Sequence, residues 1–283
     1  METNFLKAFS NLVNTSILDI KAYYQSRNRI NNVGEALEYY VKDLFCNSFE
    51  QSLEEKNRIY SQAFSYLGNQ NNPPDIIVKS GDAIEVKKVE GMMSGISLNS
   101  SYPKDRLYSD SPMITASCRD CEDWSEKDLL YTVGTVLNDK LKSLFFVYGN
   151  CYAADRETYE RIRNKIAEGI NELSGVGLAD TRELGRVNKV DPLGITYLRI
   201  RGMWGIDNPA KVFSYIPRLF IGESFNSIAI LTKEKYLSFP EEDRIRIERL
   251  SESVNEFSIR EEKIKSPNNP ASMLDCKILV LSK

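Results

Sequence analysis

The feature that most constrains the fold of this chain is the segment PPDIIVKSGDAIEVKK, which spans 73–88. Its two runs, DIIV and AIEVK, are rich in β-branched residues and flank the turn sequence KSGD, so they predict a β-hairpin. A three-residue loop over 80–82, with its glycine in the left-handed conformation, would place Lys87 opposite Asp75 and Glu85 opposite Ile77. We therefore expect a sheet built around a hairpin that carries charge within its strands.

The alternation of side chains along a strand sorts this hairpin into two faces. One face is apolar and suits a core: Ile76, Val78, Ile84 and Val86. The other gathers the charged residues: Asp75, Ile77, Glu85 and Lys87. Two neighbouring carboxylates repel each other, and a divalent cation such as Mg²⁺ removes that conflict. With a lysine beside it, such a site has the groups that metal-assisted phosphodiester hydrolysis needs.

A structural interpretation of the same hairpin stays open. It would be an edge hairpin with one solvated face, on which Asp75 and Lys87 form a surface ion pair. Such a pair contributes little to stability. A spaced Asp, Glu and Lys is a weak motif by itself, so the rest of the chain must discriminate between the two.

Composition describes an ordinary globular protein. The chain has 283 residues, with 42% hydrophobic and 27% charged residues, enough for one large or two small domains. It contains no apolar run of membrane-spanning length. Its N-terminus, METNFLKAFSNLV, lacks the basic region and apolar core of an export signal, so we expect a cytoplasmic protein.

The complete absence of histidine narrows the chemistry. It excludes Ser-His-Asp and Cys-His catalysis and every histidine-ligated metal. Five scattered cysteines indicate reduced thiols. Cys118 and Cys121 form a C-x-x-C without a second such pair, so a redox pair or metal ligand is the less favoured alternative there. A carboxylate-and-lysine site is among the few hydrolytic designs left.

Charge is unevenly distributed along the chain. The net charge is −3, but the stretch 182–218 contains seven basic residues against three acidic ones. The basic residues begin at Arg182 and end at Arg218. Such a local excess suits contact with a polyanion, even in an acidic protein.

Apolar periodicity predicts helices and strands that alternate along the chain. A helix is predicted over 31–49, with Asn31 or Asn32 as its cap, and an amphipathic helix over RETYERIRNKIAEGINEL, with Tyr159, Ile162, Ile166 and Ile170 inward. NSSYPKDRLYSDSP is predicted as a polar loop. SLFFVYGNCY, GITYLRIRGMW, SIAILT and CKILVLS are predicted strands.

These elements predict one α/β domain around a mixed central β-sheet flanked by helices. We expect a helical N-terminal part over about 1–70, a second part with the charged hairpin over about 71–180, and a third part with the basic stretch over about 181–283.

Pro74-Asp75, a spacer and Glu85-Val86-Lys87 resemble the PD-(D/E)XK nuclease signature. The preceding helix, GEALE, resembles the first helix of that superfamily, whose glutamate often reaches the metal site. NRINNVGEALEYYVKDLF, LNSSYPKDRL, KDLLYTVGTV and DPLGITYLRIRGMW together resemble type II restriction endonucleases of the NgoPII kind. The resemblance covers most of 28–209 and adds little after about residue 232.

The resemblance implies a restriction-endonuclease-like core, a Mg²⁺ cofactor and roles for particular residues. It makes 71–180 the catalytic core and 181–283 the DNA-recognition and C-terminal part. Asp75 and Glu85 would ligate Mg²⁺, and Lys87 would orient or deprotonate the attacking water and stabilise charge on the phosphate. Glu38 would support the metal or its water, with Glu35 as the alternative. It further implies double-stranded DNA as substrate, a homodimer acting on a palindrome, GGCC as that palindrome, and a DNA methyltransferase as genetic partner only.

Candidate DNA contacts follow from charge and alternation. Arg199 and Arg201 share one strand face, where two guanidinium groups suit two adjacent guanines; the alternative is surface strand charge. Lys104, Arg106 and Lys189 are predicted phosphate contacts, and Arg186 is a further DNA-binding candidate. Two other functions stay open: a repair or junction-resolving nuclease of the same fold, and a non-catalytic DNA-binding module.

Overall fold

The computed structural model describes residues 2–28, 32–69, 72–181, 183–219 and 224–283. Its helices are α1 Phe5–Asn14, α2 Ile20–Asn28, α3 Val33–Cys46, α4 Leu53–Ala63, α5 Ala116–Arg119, α6 Gly149–Tyr152, α7 Arg156–Asn171, α8 Pro209–Val212, α9 Lys233–Ser238 and α10 Glu241–Ser253. Within the described residues, no helix is long and apolar enough to span a membrane.

The strands follow the helical N-terminus. They are β1 Phe64–Asn69, β2 Asn72–Val78, β3 Ala83–Val89, β4 Ile96–Asn99, β5 Arg106–Tyr108, β6 Glu126–Leu137, β7 Lys140–Tyr148, β8 Gly185–Asn188, β9 Tyr197–Ile200, β10 Trp204–Ile206, β11 Asn226–Thr232, β12 Phe257–Lys265 and β13 Met273–Ser282. The strands predicted from SLFFVYGNCY, SIAILT and CKILVLS are confirmed as β7, β11 and β13, although β7 ends before the helical turn α6.

One large sheet organises the molecule, in the order β1-β2-β3-β6-β7-β11-β13-β12, with β5 paired to β6. The pairs β3–β6 and β7–β11 are parallel and the other pairs are antiparallel. Small two-stranded sheets, β4–β10 and β8–β9, lie outside it. The predicted α/β class with a mixed central sheet flanked by helices is confirmed.

Both faces of the large sheet are buried. One face packs against α1 to α4, where Phe5, Leu37 and Leu44 join the core. The helix α3 begins where the Asn32 side chain accepts a hydrogen bond from the Gly34 N–H, and it ends at Asn47 in the left-handed conformation. The predicted apolar hairpin face is confirmed, because Ile76, Val78, Ile84 and Val86 all lie in this core. Asn31, the alternative cap, lies outside the described residues.

The register of the β2–β3 hairpin differs from the prediction. Ile76 pairs with Ile84 and Ile77 with Ala83, and the Val78 N–H donates to the Asp82 carbonyl, so the loop is 79–81. Ser80 takes the left-handed conformation, with φ 57°, and the glycine does not. A loop one residue earlier shifts the pairing by two residues, which keeps every side chain on its predicted face.

A buried polar cluster joins three N-terminal helices. The Asp43 carboxylate on α3 accepts hydrogen bonds from Lys56 Nζ at 2.5 Å and from the hydroxyls of Tyr24, Tyr60 and Ser48 at 2.6 Å each. Asp43 and Lys56 have fully buried side chains. Because a buried charge without partners is costly, this set of contacts fixes α2 and α4 on α3.

Three further expectations are wrong in detail. The amphipathic helix exists as α7, but Ile162 and Ile166 are 43% and 48% exposed, so these two residues do not lie inward as predicted. GITYLRIRGMW forms two strands, β9 and β10, in different sheets. NSSYPKDRLYSDSP is no solvated loop, since it contains β5 and the buried residues Tyr102 and Lys104.

Candidate active site

The charged residues of the hairpin line a cleft of about 100 Å³. Asp75 lies on β2, and Glu85 and Lys87 lie on β3. Opposite them, the segment between β4 and β5 supplies the other wall, with Asn99, Ser100, Ser101, Tyr102 and Lys104. The cleft therefore combines the predicted carboxylates and lysine with a polar loop of which the sequence marked only Lys104, as a phosphate contact.

Contacts within the hairpin hold the carboxylates in place. Lys87 Nζ lies 2.6 Å from Glu85 Oε1. The Val86 N–H donates to Asp75 Oδ2 at 2.6 Å, so the backbone of β3 fixes the carboxylate of β2. Glu85 is 8% exposed, and its second oxygen, Oε2, is buried with no hydrogen-bond partner among the described residues.

These contacts exclude the structural interpretation of the hairpin. β2 and β3 lie between β1 and β6, so the hairpin is not at the edge of the sheet. Lys87 pairs with Glu85 rather than forming the exposed pair with Asp75 that this interpretation required.

The charged side chains of the cleft change one another's pKa values. Burial, followed by the nearby charge of Glu85, raises the pKa of Asp75 to about 8. Burial alone would lower the pKa of Lys87, but the carboxylates of Glu85 and Asp75 outweigh it and raise that pKa. Two neighbouring carboxylates beside an ammonium group are typical of a site built for a cation or for proton transfer.

The helix α3 brings further charge to the cleft. Burial raises the pKa of Glu38, and Lys42, Lys87, Glu35 and Glu85 all act on its charge. Glu38 is half-buried, whereas Glu35 is exposed, so Glu38 is the glutamate of this helix that faces the charged set. Lys42 was not predicted as a site residue, although its position one turn after Glu38 on the same helix face could have suggested it.

The donor set of the cleft fits a divalent cation. Asp75 and Glu85 supply hard oxygen ligands, and Glu85 Oε2 is a buried acceptor without a partner among the described residues. Within the described ranges, no three acidic or thiol side chains converge closely enough to hold a metal by themselves. Two carboxylates leave several positions to water and phosphate oxygens, which is how Mg²⁺ is usually bound.

Lys104 occupies a special position among the predicted DNA contacts. It is 5% exposed, and its Nζ donates to the Tyr102 carbonyl at 3.1 Å and to the Ser101 hydroxyl. Its backbone N–H donates to the Tyr131 hydroxyl at 2.8 Å, which ties the loop to β6. Burial lowers the pKa of Lys104 to about 8. Lys104 thus belongs to the cleft wall, where it can meet only a phosphate that enters the cleft.

The other DNA candidates lie outside the cleft. Arg106 pairs with Glu126 at 2.6 Å and Asp128 at 3.4 Å at the start of β6. Arg186 lies opposite Arg199 across the β8–β9 ribbon, and Lys189 begins its turn with φ 53°. Arg201 follows β9. Arg182, the first residue of the predicted basic stretch, lies outside the described residues.

A large mixed sheet flanked by helices is consistent with a restriction-endonuclease-like fold, and comparison with known proteins gives the family. The model of the NgoPII restriction endonuclease family matches residues 3–265. The type II restriction enzyme NgoPII of Neisseria gonorrhoeae is 48% identical over 279 residues, which cover 98% of this chain and 98% of that protein. No solved structure matches the chain.

This chain belongs to the NgoPII restriction endonuclease family. The predicted resemblance and the predicted enzyme class, a type II restriction endonuclease, are confirmed. The family match also extends to residue 265, beyond the part of the chain that the sequence motifs covered.

Proposed function

We propose that this protein is a Mg²⁺-dependent endonuclease that hydrolyses both strands of DNA at a short palindrome, GGCC. The observation that carries the proposal is the cleft in which Lys87 Nζ lies 2.6 Å from Glu85 Oε1, beside the carboxylate of Asp75. Carboxylates and a lysine in this arrangement suit phosphodiester hydrolysis in a chain without histidine.

Five charged residues in and beside the cleft have roles in this proposal. Asp75 and Glu85 would hold the cation, whose charge would stabilise the negative charge that develops on the phosphate. Lys87 would orient the attacking water and stabilise the negative charge on the phosphate, because its ammonium group is anchored by Glu85. Glu38 supports the water from α3. Lys104, on the opposite wall, contacts the phosphate.

Recognition belongs to a different part of the molecule in this proposal. A two-stranded ribbon fits the major groove of B-DNA, and arginine bonds guanine through O6 and N7. The exposed ribbon β8–β9 carries Arg186 and Arg199, and Arg201 follows it. Two arginines per subunit suit the two adjacent guanines of each GGCC half-site, and a homodimer suits its two-fold symmetry.

Digestion of a plasmid of known sequence tests the proposal. With Mg²⁺ the protein should give discrete fragments whose mapped ends all lie at GGCC, and with EDTA it should give none. Fragment ends at another palindrome would overturn the GGCC assignment and leave the chemistry standing. Cutting without a common sequence would indicate a repair or junction-resolving nuclease, and specific binding without cutting would indicate a non-catalytic module.

A further inference from the structure

The arginines proposed for base reading share one carboxylate. Glu183 Oε1 lies 2.5 Å from the Arg199 NH2 group and also accepts a hydrogen bond from Arg201 Nε. Glu183 Oε2 accepts from Arg199 Nε at 2.8 Å, so Arg199 is held by two parallel contacts. The Glu183 side chain is 18% exposed, against 43% for Arg199 and 49% for Arg201, so the carboxylate lies beneath two outward-facing guanidinium groups.

This arrangement solves an electrostatic conflict. Two guanidinium groups that approach one atom repel each other, and the carboxylate between them offsets that repulsion. Hydrogen bonds from Arg199, and after them those from Arg201, lower the pKa of Glu183 to about 2, so it stays charged at neutral pH. The backbone of Glu183 is itself held, because its N–H donates to the Thr181 hydroxyl at 3.1 Å.

The contacts with Glu183 leave terminal guanidinium nitrogens of both arginines available for guanine. Arg201 contacts Glu183 through Nε, and its two terminal nitrogens have no hydrogen-bond partner in the described part of the chain. A guanidinium presents two parallel donors to guanine O6 and N7. The carboxylate of Glu183 repels phosphate, so it disfavours contacts between these arginines and the DNA backbone, which carry no sequence information.

We infer that Glu183 is a positioning residue for sequence discrimination: it orients Arg199 and Arg201 toward guanine edges and opposes their use as phosphate contacts. The inference rests on the proposed function, because it assumes that these arginines meet DNA. It adds a residue that sequence reasoning counted only as an opposing charge within the basic stretch.

Replacement of Glu183 with glutamine tests the inference. Single-turnover cleavage is measured on one duplex with GGCC and on one with a single changed base pair, together with the affinity for a duplex without the site. In Glu183→Gln the ratio of the two cleavage rates should fall at least about tenfold, within the range expected for one good bidentate contact. Affinity for the non-specific duplex should rise, and its dependence on salt should steepen by up to about one counterion.

Glu172→Gln is the matched control, because it removes an exposed negative charge just after α7 that contacts neither arginine. It should leave the cleavage ratio unchanged. A second comparison adds Glu183→Gln to the double variant Arg199→Ala, Arg201→Ala. Because Glu183 acts through those two arginines, the triple variant should have the same ratio of cleavage rates as the double variant. A merely structural role for Glu183 would not produce this dependence.

The outcomes separate the inference from the proposed function. If the wild-type protein prefers neither duplex, the proposed recognition is wrong and the inference falls with it. If the wild-type protein discriminates and Glu183→Gln discriminates equally well, the inference alone is overturned. Equal losses on both duplexes, with a lowered melting temperature, would also overturn it, because the residue would then act only on folding.

Discussion

At the scale of single residues, two adjacent lysines on β3 allow a direct test of the cleft, because only one of them lies in it. Lys87 lies in the cleft with Glu85, whereas Lys88 pairs with the exposed Glu90 at 2.7 Å. We expect Lys87→Met to reduce single-turnover cleavage by about 10²–10³-fold, the usual cost of removing one group that stabilises charge in the transition state. Lys88→Met should cut like the wild-type protein. Equal activity of the two variants would contradict the site assignment.

Asp75 gives a prediction that depends on pH. Its raised pKa of about 8 means that the metal-free protein holds a proton there at neutral pH and loses it as the pH rises. Without metal, Asp75→Asn should therefore bind DNA like the wild-type protein at pH 6.5–7, values chosen about one unit below that pKa. Above the pKa the wild-type carboxylate repels phosphate, and Asp75→Asn should bind more tightly.

The measurement is the ratio of the two affinities in EDTA at each pH. Comparing the two proteins at one pH removes the effect of Lys104, whose lowered pKa of about 8 changes both affinities alike. A ratio that stays constant from neutral to alkaline pH would contradict the assignment of the raised pKa to Asp75. Asp75→Asn should in any case fail to cut with Mg²⁺.

At the scale of elements, the Asp43 cluster predicts how the N-terminal helices are held. Lys56→Met removes the buried cation and leaves the Asp43 carboxylate with hydroxyl partners alone. Breaking one side of a buried pair typically costs about 3–5 kcal/mol of unfolding free energy. Lys165→Met, which removes an exposed pair with Glu168 on α7, should cost no more than about 1 kcal/mol. Urea unfolding of both variants measures the difference, and similar losses would contradict it.

The basic ribbon predicts how binding responds to salt. Non-specific affinity should fall by orders of magnitude from low to moderate salt, because lysines and arginines on and around β8–β9 replace counterions on phosphates. Lys189→Ala should reduce the slope of log affinity against log salt by about one. Lys165→Ala, on the neighbouring helix, should leave that slope unchanged. A flat salt response of the wild-type protein would exclude the ribbon as the DNA surface.

At the scale of the whole molecule, the described part of the chain offers one candidate cleft, whereas a double-strand cut requires the hydrolysis of two strands. We expect two chains per GGCC duplex, related by the two-fold axis of the palindrome. Sedimentation of the metal-free protein with a short duplex measures the stoichiometry. One chain per duplex, with both strands cut in a single binding event, would contradict the homodimer.

The sequence by itself determined the chemistry-bearing face of the hairpin. Side-chain alternation is a local property, so Glu85 and Lys87 had to face the same way whatever surrounded them. The loop lies one residue earlier than predicted, yet this error moved the pairing by two residues and left both faces intact. The helix α3 was equally predictable, because its apolar stripe and cap lie within one short segment.

Only the tertiary structure decided which side chains from distant parts of the sequence contact the predicted site residues. Lys104 lines the cleft because its loop is hydrogen-bonded to Tyr131 on β6. Glu183, which precedes β8, pairs with Arg199 on β9 and with Arg201 just after it. The amphipathic pattern of α7 predicted burial, but Ile162 and Ile166 are exposed, because burial requires a neighbouring surface that periodicity cannot supply. Contacts between residues distant in sequence depend on the packing of whole elements, and no local pattern encodes that packing.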